Sequence, residues 1–113
     1  MKAKNVAPSC VAAVFVAAVA LLQEPPTAEL YRAKCQQCHM ADGNSPLEPM
    51  NFADGTWTHG SKPAEVAKVI SDGVGGTAML PFKAQLSPEQ VTALAAYVRA
   101  FDKTLKPEKA KKQ

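Results

Sequence analysis

Hydrophobic and polar positions divide the chain into an apolar leader, a patterned body and a polar tail. Val11 to Leu22 is an unbroken apolar run of 12 residues behind the positive start Met1-Lys2-Ala3-Lys4. A short basic start before an apolar centre of that length predicts a signal peptide over residues 1–22, with Ala18-Val19-Ala20 as a small-residue cleavage site. The competing reading is an uncleaved anchor. Counted from Val6 the stretch reaches 17 residues but includes Pro8, Ser9 and Cys10, barely enough to span a bilayer. Cys10 precedes the apolar run, so it is not placed like a lipoprotein cysteine and would leave with the leader.

Past the leader the pattern turns helical. Gln23-Glu24-Pro25-Pro26 is a stiff lead-in. Thr27 as N-cap and Glu29 in the first turn predict a helix from Ala28 to about Lys34, packing through Leu30 and Tyr31. Met40 to Gly60 is rich in turn residues, with Ala41-Asp42-Gly43-Asn44-Ser45-Pro46 reading as loop. A connection of that length in a compact domain calls for a ligand to order it. Ser61 as N-cap, Pro63 and the stripe Val66, Val69, Ile70 predict a second helix that ends at Gly73. Gly75-Gly76-Thr77 is expected to let backbone pass close to a flat surface. Ser87-Pro88-Glu89-Gln90 opens the last helix with a capping-box pattern, and Val91, Leu94, Ala95 and Val98 form its buried stripe, continued by Phe101. Lys106 to Gln113 has no apolar face and predicts a disordered tail. The chain therefore reads as all-α, three to four short helices in one domain over residues 23–105.

Composition sharpens this picture at two points. Of 113 residues 47% are hydrophobic, but much of that share sits in the leader. What remains is a thin core, and domains of this size commonly need a disulfide, metal or other staple. The net charge of +3 misleads about partners, because residues 23–102 carry six basic against nine acidic side chains. No basic face for nucleic acid results. The five lysines from Lys103 onward read first as a solvated tail and second as a docking patch for an acidic partner. No acid–base pair or activated nucleophile suggests catalysis.

The chemistry concentrates in Cys35-Gln36-Gln37-Cys38-His39, a C-x-x-C-H that reads as a c-type haem attachment site. Thiols three positions apart lie on one side of a helical turn and reach the edge of one macrocycle, while the next histidine can turn its imidazole to the iron. Two other readings stay open. A thioredoxin-like C-x-x-C wants a strand before it, and structural zinc wants four ligands. His59 is the only other histidine and is expected on a surface loop. Among candidates for a sixth iron ligand, Met40 adjoins His39 and cannot reach across a ring. Met50 is the alternative to Met79, which follows a helix able to wrap the haem and sits among small residues; His59 comes last.

Cys35 to His39, Met79 within Gly75-Gly76-Thr77-Ala78-Met79-Leu80-Pro81-Phe82, and Leu94-Ala95-Ala96-Tyr97-Val98 together resemble a small bacterial monohaem class I cytochrome c, over about residues 28–102. The resemblance implies that fold, with N- and C-terminal helices crossing and Tyr31 as a core contact. It implies one haem c per chain, held covalently by Cys35 and Cys38, with His39 and Met79 as axial iron ligands. Pro49, Trp57, Leu94 and Tyr97 would line the pocket. The family has a proline whose carbonyl accepts a hydrogen bond from the proximal histidine; Pro49 matches best, Pro46 being the alternative. Trp57 is either a core aromatic or a donor to a haem propionate. Where the family keeps a glycine after the histidine this chain has Met40, a departure expected to affect packing more than ligation. Function would follow from a closed coordination sphere: a periplasmic one-electron carrier, monomeric, between a redox donor and an acceptor. The alternatives are a haem c subunit of a periplasmic or membrane-bound dehydrogenase or oxidase complex, and, from another class, a haem enzyme or gas sensor with a displaceable Met79. Membrane contact is expected only if the leader stays uncleaved.

Overall fold

The computed structural model describes residues 24–107; the expected leader and most of the expected tail lie outside the described residues. Helices α1 (Thr27–Lys34), α2 (Gln36–His39), α3 (Pro63–Asp72) and α4 (Pro88–Arg99) follow in order, with a short 3₁₀ turn at Glu48–Met50 between α2 and α3.

Proline sets the start of α1. Pro26, with its fixed φ of −58°, accepts from the N–H groups of Glu29 and Leu30 at 3.0 and 3.1 Å. Thr27, expected as the cap, is thus already helical. Glu29 in the first turn and Arg32 and Lys34 in the last complement the helix dipole. α3 shifts the other way, its cap falling on Lys62, one residue later than expected. The Lys62 N–H donates to the Glu65 carboxylate at 3.0 Å, whereas the Ser61 carbonyl accepts from Arg99 Nε at 2.6 Å and ties this corner to the end of α4. α4 opens as its sequence demands: Ser87 Oγ accepts from the Gln90 N–H at 3.1 Å, and Gln90 Oε1 accepts from the Ser87 N–H at 2.8 Å.

α4 is the central element and packs against both α3 and α1. Its stripe Val91, Leu94, Ala95, Val98 meets Val66 and Ile70 of α3, Leu30 and Tyr31 of α1, and Leu86, forming one buried cluster. Each large apolar side chain fully buried there contributes about 1.5–3 kcal/mol. Truncating Leu94, 0% exposed, to alanine costs about 2–5 kcal/mol. Tyr31 closes the α1–α4 contact, its ring 5.0 Å from Tyr97 and 5.4 Å from Phe101.

The long segment after α2 is tied by its own polar groups. The Phe52 N–H donates to the Gly43 carbonyl at 2.7 Å. The Asn51 amide donates to Asn44 Oδ1 at 2.7 Å and to the Ser45 carbonyl at 2.9 Å. A ligand is therefore not the sole source of order in this loop. Among the described residues no helix is long and apolar enough to cross a membrane.

Candidate functional site

The break between α1 and α2 falls on Cys35, at φ −121° and ψ −37°. Its N–H donates to the Tyr31 carbonyl at 2.8 Å, and its own carbonyl accepts from Cys38 and His39 at 3.2 and 3.0 Å. The two thiols and the imidazole thus leave one tight turn. Both cysteines are free; Cys38 is exposed and Cys35 half-buried. Burial pushes the Cys35 thiol up, partly offset by the neighbouring Lys34 charge.

His39 is oriented by a carbonyl. Its Nδ1 lies 2.7 Å from the Met50 oxygen, which can only accept, so Nδ1 carries the proton. Burial holds the ring below the ordinary histidine pKa, against the opposing pull of that bond. The neutral imidazole that results presents its lone pair at Nε2, the form that binds a metal. Here the structure corrects the sequence reading: the acceptor is Met50, not Pro49. Met50 ends the 3₁₀ turn, where helical pairing leaves a carbonyl available, while Pro49 lies within the turn and is exposed.

An aromatic array continues from this imidazole. Phe52 stacks on His39 with ring centroids 4.2 Å apart and planes 19° apart. Trp57 lies 5.7 Å beyond Phe52 at 14°. Of the two readings of Trp57 the structure favours the core aromatic: its Nε1 donates to Asp102 Oδ2 at 2.8 Å. Asp102 is 2% exposed and also accepts from the Thr104 N–H at 2.9 Å and its hydroxyl at 2.6 Å. The Thr104 and Trp57 donors hold its carboxyl below the usual carboxylate range, against the effect of burial. Sequence reasoning missed Asp102, which belongs to no motif, and did not single out Phe52. Leu94 is likewise corrected: protein atoms alone cover it, so it belongs to the helical core and does not line a pocket. Tyr97 is half-buried, edge-on to Phe101 at 5.5 Å and 90°.

Two backbone features flank the site. Met40, directly after His39, has φ 67° and ψ 161°, a region that glycine alone adopts freely. The Tyr31 hydroxyl donates to its carbonyl at 2.6 Å, holding this strained residue in place. Met79 is fixed from the other end of the chain. Gly73, ending α3 at φ +68°, lets the segment cross so closely that a Cβ there would lie 2.6 Å from the Met79 oxygen. The Val74 N–H donates to that oxygen at 2.9 Å, and the Met79 N–H donates to Thr77 Oγ1 at 3.1 Å. Within the protein itself the close backbone approach falls at Gly73. His59 is exposed, beside an open cleft with Glu65, Lys68 and Asp72.

Two free thiols on one turn with an adjacent imidazole fit covalent haem c. Among the described residues no three His, Cys, Asp or Glu side chains converge as a cage, so the donor set a structural zinc ion needs is not assembled. Residues 24–98 match the family described as cytochrome C oxidase, cbb3-type, subunit III. The chain belongs to that family. Its all-helical architecture is a class I cytochrome c fold, and the family binds haem c, so the chain is an electron-transfer cytochrome. This cytochrome is 37% identical over 76 residues to the cbb3-type cytochrome c oxidase subunit FixP of Azorhizobium caulinodans, covering 66% of this chain and 26% of that protein. It is 35% identical over 83 residues to subunit CcoP of Rubrivivax gelatinosus, covering 68% and 27%. The chain thus spans about a quarter of the length of these curated relatives. Among solved structures it is similar to the KustC0563 c-type cytochrome, with TM-score 0.58 and 33% identity, covering 69% of this chain and 99% of that one.

Proposed function

We propose that this cytochrome works as a fixed haem c electron-transfer unit of a cbb3-type oxidase complex on the periplasmic side of the membrane. The observation that carries this reading is the match of residues 24–98 to subunit III of that oxidase type. In this reading Cys35 and Cys38 hold the macrocycle through thioether bonds, and His39 Nε2 and the Met79 sulfur bind the iron. Bound there, the haem supplies one-electron chemistry between ferric and ferrous iron, at a potential raised by the thioether ligand. The Met50 carbonyl on Nδ1 raises the basicity of His39 as a ligand. Leu47 and Leu80, 58% and 62% exposed, offer apolar surface that a flat ring would cover. The leader delivers the domain to the periplasm, where haem is attached.

The test is fractionation of the exporting cell. Membranes solubilised in mild detergent and run on a native gel should show the haem-stained chain migrating with terminal-oxidase activity. Haem stain confined to the soluble periplasmic fraction would instead establish a mobile carrier. That second reading is supported by one observation: the match takes in 99% of the solved c-type cytochrome chain.

A further inference from the structure

We propose that Phe52 is a positioning residue for the proximal ligand, setting the plane of the His39 imidazole. The inference rests on the reading of His39 as the iron ligand. A hydrogen bond from Nδ1 to the Met50 carbonyl, at 2.7 Å, fixes one atom of the ring but leaves the ring free to tilt about that line. A flat partner on the ring face removes the tilt. Phe52 is that partner, 4.2 Å away and 19° from parallel. Its own orientation is restrained by two further rings. Trp57 lies nearly parallel beyond it, and Phe101 lies 6.4 Å away at 4°. Trp57 is in turn locked by Asp102, and the Phe52 backbone N–H is bonded to Gly43 at 2.7 Å. The plane of His39 is therefore specified by a chain of rigid groups that ends at the C-terminal side of the domain. That plane decides how the ligand overlaps the iron orbitals, and the same ring keeps water from the imidazole, which raises the reduction potential.

The test compares Phe52→Leu, which keeps apolar volume without a flat face, with Phe52→Tyr, which keeps the face. Both are read in the haem-loaded protein by low-temperature electron paramagnetic resonance, by proton shifts of the ferric haem methyls and by redox titration. Phe52→Leu should alter the resonance g-values and compress or reorder the methyl shifts. It should also change the ferrous-to-ferric ratio at fixed ambient potential at least threefold, about 28 mV for a one-electron couple. Phe52→Tyr should restore the parent pattern. Unchanged spectra and potential in Phe52→Leu, with lowered stability alone, would make Phe52 an ordinary packing residue and overturn the inference. Should Phe52→Leu fail to accumulate, Trp57→Leu, which strips the ring behind Phe52, is read by the same signals and the same criterion. His39→Ala separates the two levels. If it leaves the parent signals intact, the ligand reading fails; if it abolishes them while the Phe52 variants change nothing, the positioning role alone fails.

Discussion

Replacing Asp102 with asparagine tests whether one buried carboxylate holds the 51–58 loop onto the end of α4. Asp102 Oδ2 accepts from Trp57 Nε1 at 2.8 Å, while Oδ1 accepts from the Thr104 N–H and hydroxyl at 2.9 and 2.6 Å. Asparagine has the same shape but only one acceptor oxygen. Whichever way its amide turns, an NH₂ group faces either the indole N–H or the Thr104 N–H, donor against donor. Losing one hydrogen bond to a charged acceptor costs about 1.5–3 kcal/mol, and leaving a part-buried donor unpaired adds to it, so about 2–4 kcal/mol is expected at neutral pH. With a guanidinium slope of about 3 kcal/mol per molar, the midpoint falls by about 1 M. Trp57, the single tryptophan, reports the transition by fluorescence. The pH dependence gives a second, independent check. The folded-state pKa of Asp102 lies below the ordinary 3.8, so its contribution is complete above the unfolded value and is lost as pH falls through the folded one. The gap between parent and variant should therefore be full from about pH 6 to 7 and narrow below about pH 4. A gap under about 0.5 kcal/mol at neutral pH would refute the reasoning, as would one that is constant down to pH 3 while the haem stays ligated.

Three further outcomes follow from the geometry. Tyr31→Phe removes only the hydroxyl bond to the Met40 carbonyl, which keeps its contact with the Gly43 N–H at 3.2 Å; a cost of about 1 kcal/mol, or a melting temperature lower by about 4–8 °C, is expected, and an unchanged melting curve would mean the bond does not restrain Met40. Gly73→Ala places a Cβ against the Met79 backbone at positive φ and should cost about 1–3 kcal/mol while weakening the far-red sulfur-to-iron band; an unchanged band and melting curve would mean that this crossing does not position Met79. Met79→Ala should abolish that band, lower the reduction potential and allow carbon monoxide to bind the reduced protein, and Met50→Ala should do none of these; the reverse result would assign the ligand to Met50.

What was legible in the sequence was local chemistry. The C-x-x-C-H needs only five consecutive residues, and Ser87 and Gln90 cap α4 through bonds that span three positions, so neither depends on the rest of the fold. Element starts slipped by a residue where another force took the cap: the fixed φ of Pro26 displaced Thr27, and Arg99, 38 residues away, claimed the Ser61 carbonyl. The helical period rightly buried Leu94 but could not say against what, and the answer is other helices. The proline loop was found, yet which carbonyl faces His39 depends on the register of a three-residue 3₁₀ turn, and that register selects Met50. Asp102 was invisible because an acid just past a helix C-terminus opposes the dipole, and its justification, Trp57, lies 45 residues upstream. Gly73 was legible as the end of α3, but its close crossing with the Met79 backbone depends on the folded path of residues 79–81.

The bond from Trp57 to Asp102 also dictates how this domain can be moved between proteins. The stretch recognisable as family ends at residue 98, so an exchange of domains drawn at that border would carry Trp57 across and leave Phe101 and Asp102 behind. The recipient chain would then have to supply a carboxylate at the same place, or the indole would face a border with no acceptor. A seam placed beyond Thr104 transfers the bracket whole. For a haem domain occurring inside polypeptides about four times its length, the functional edge thus lies a few residues outside the edge that similarity draws.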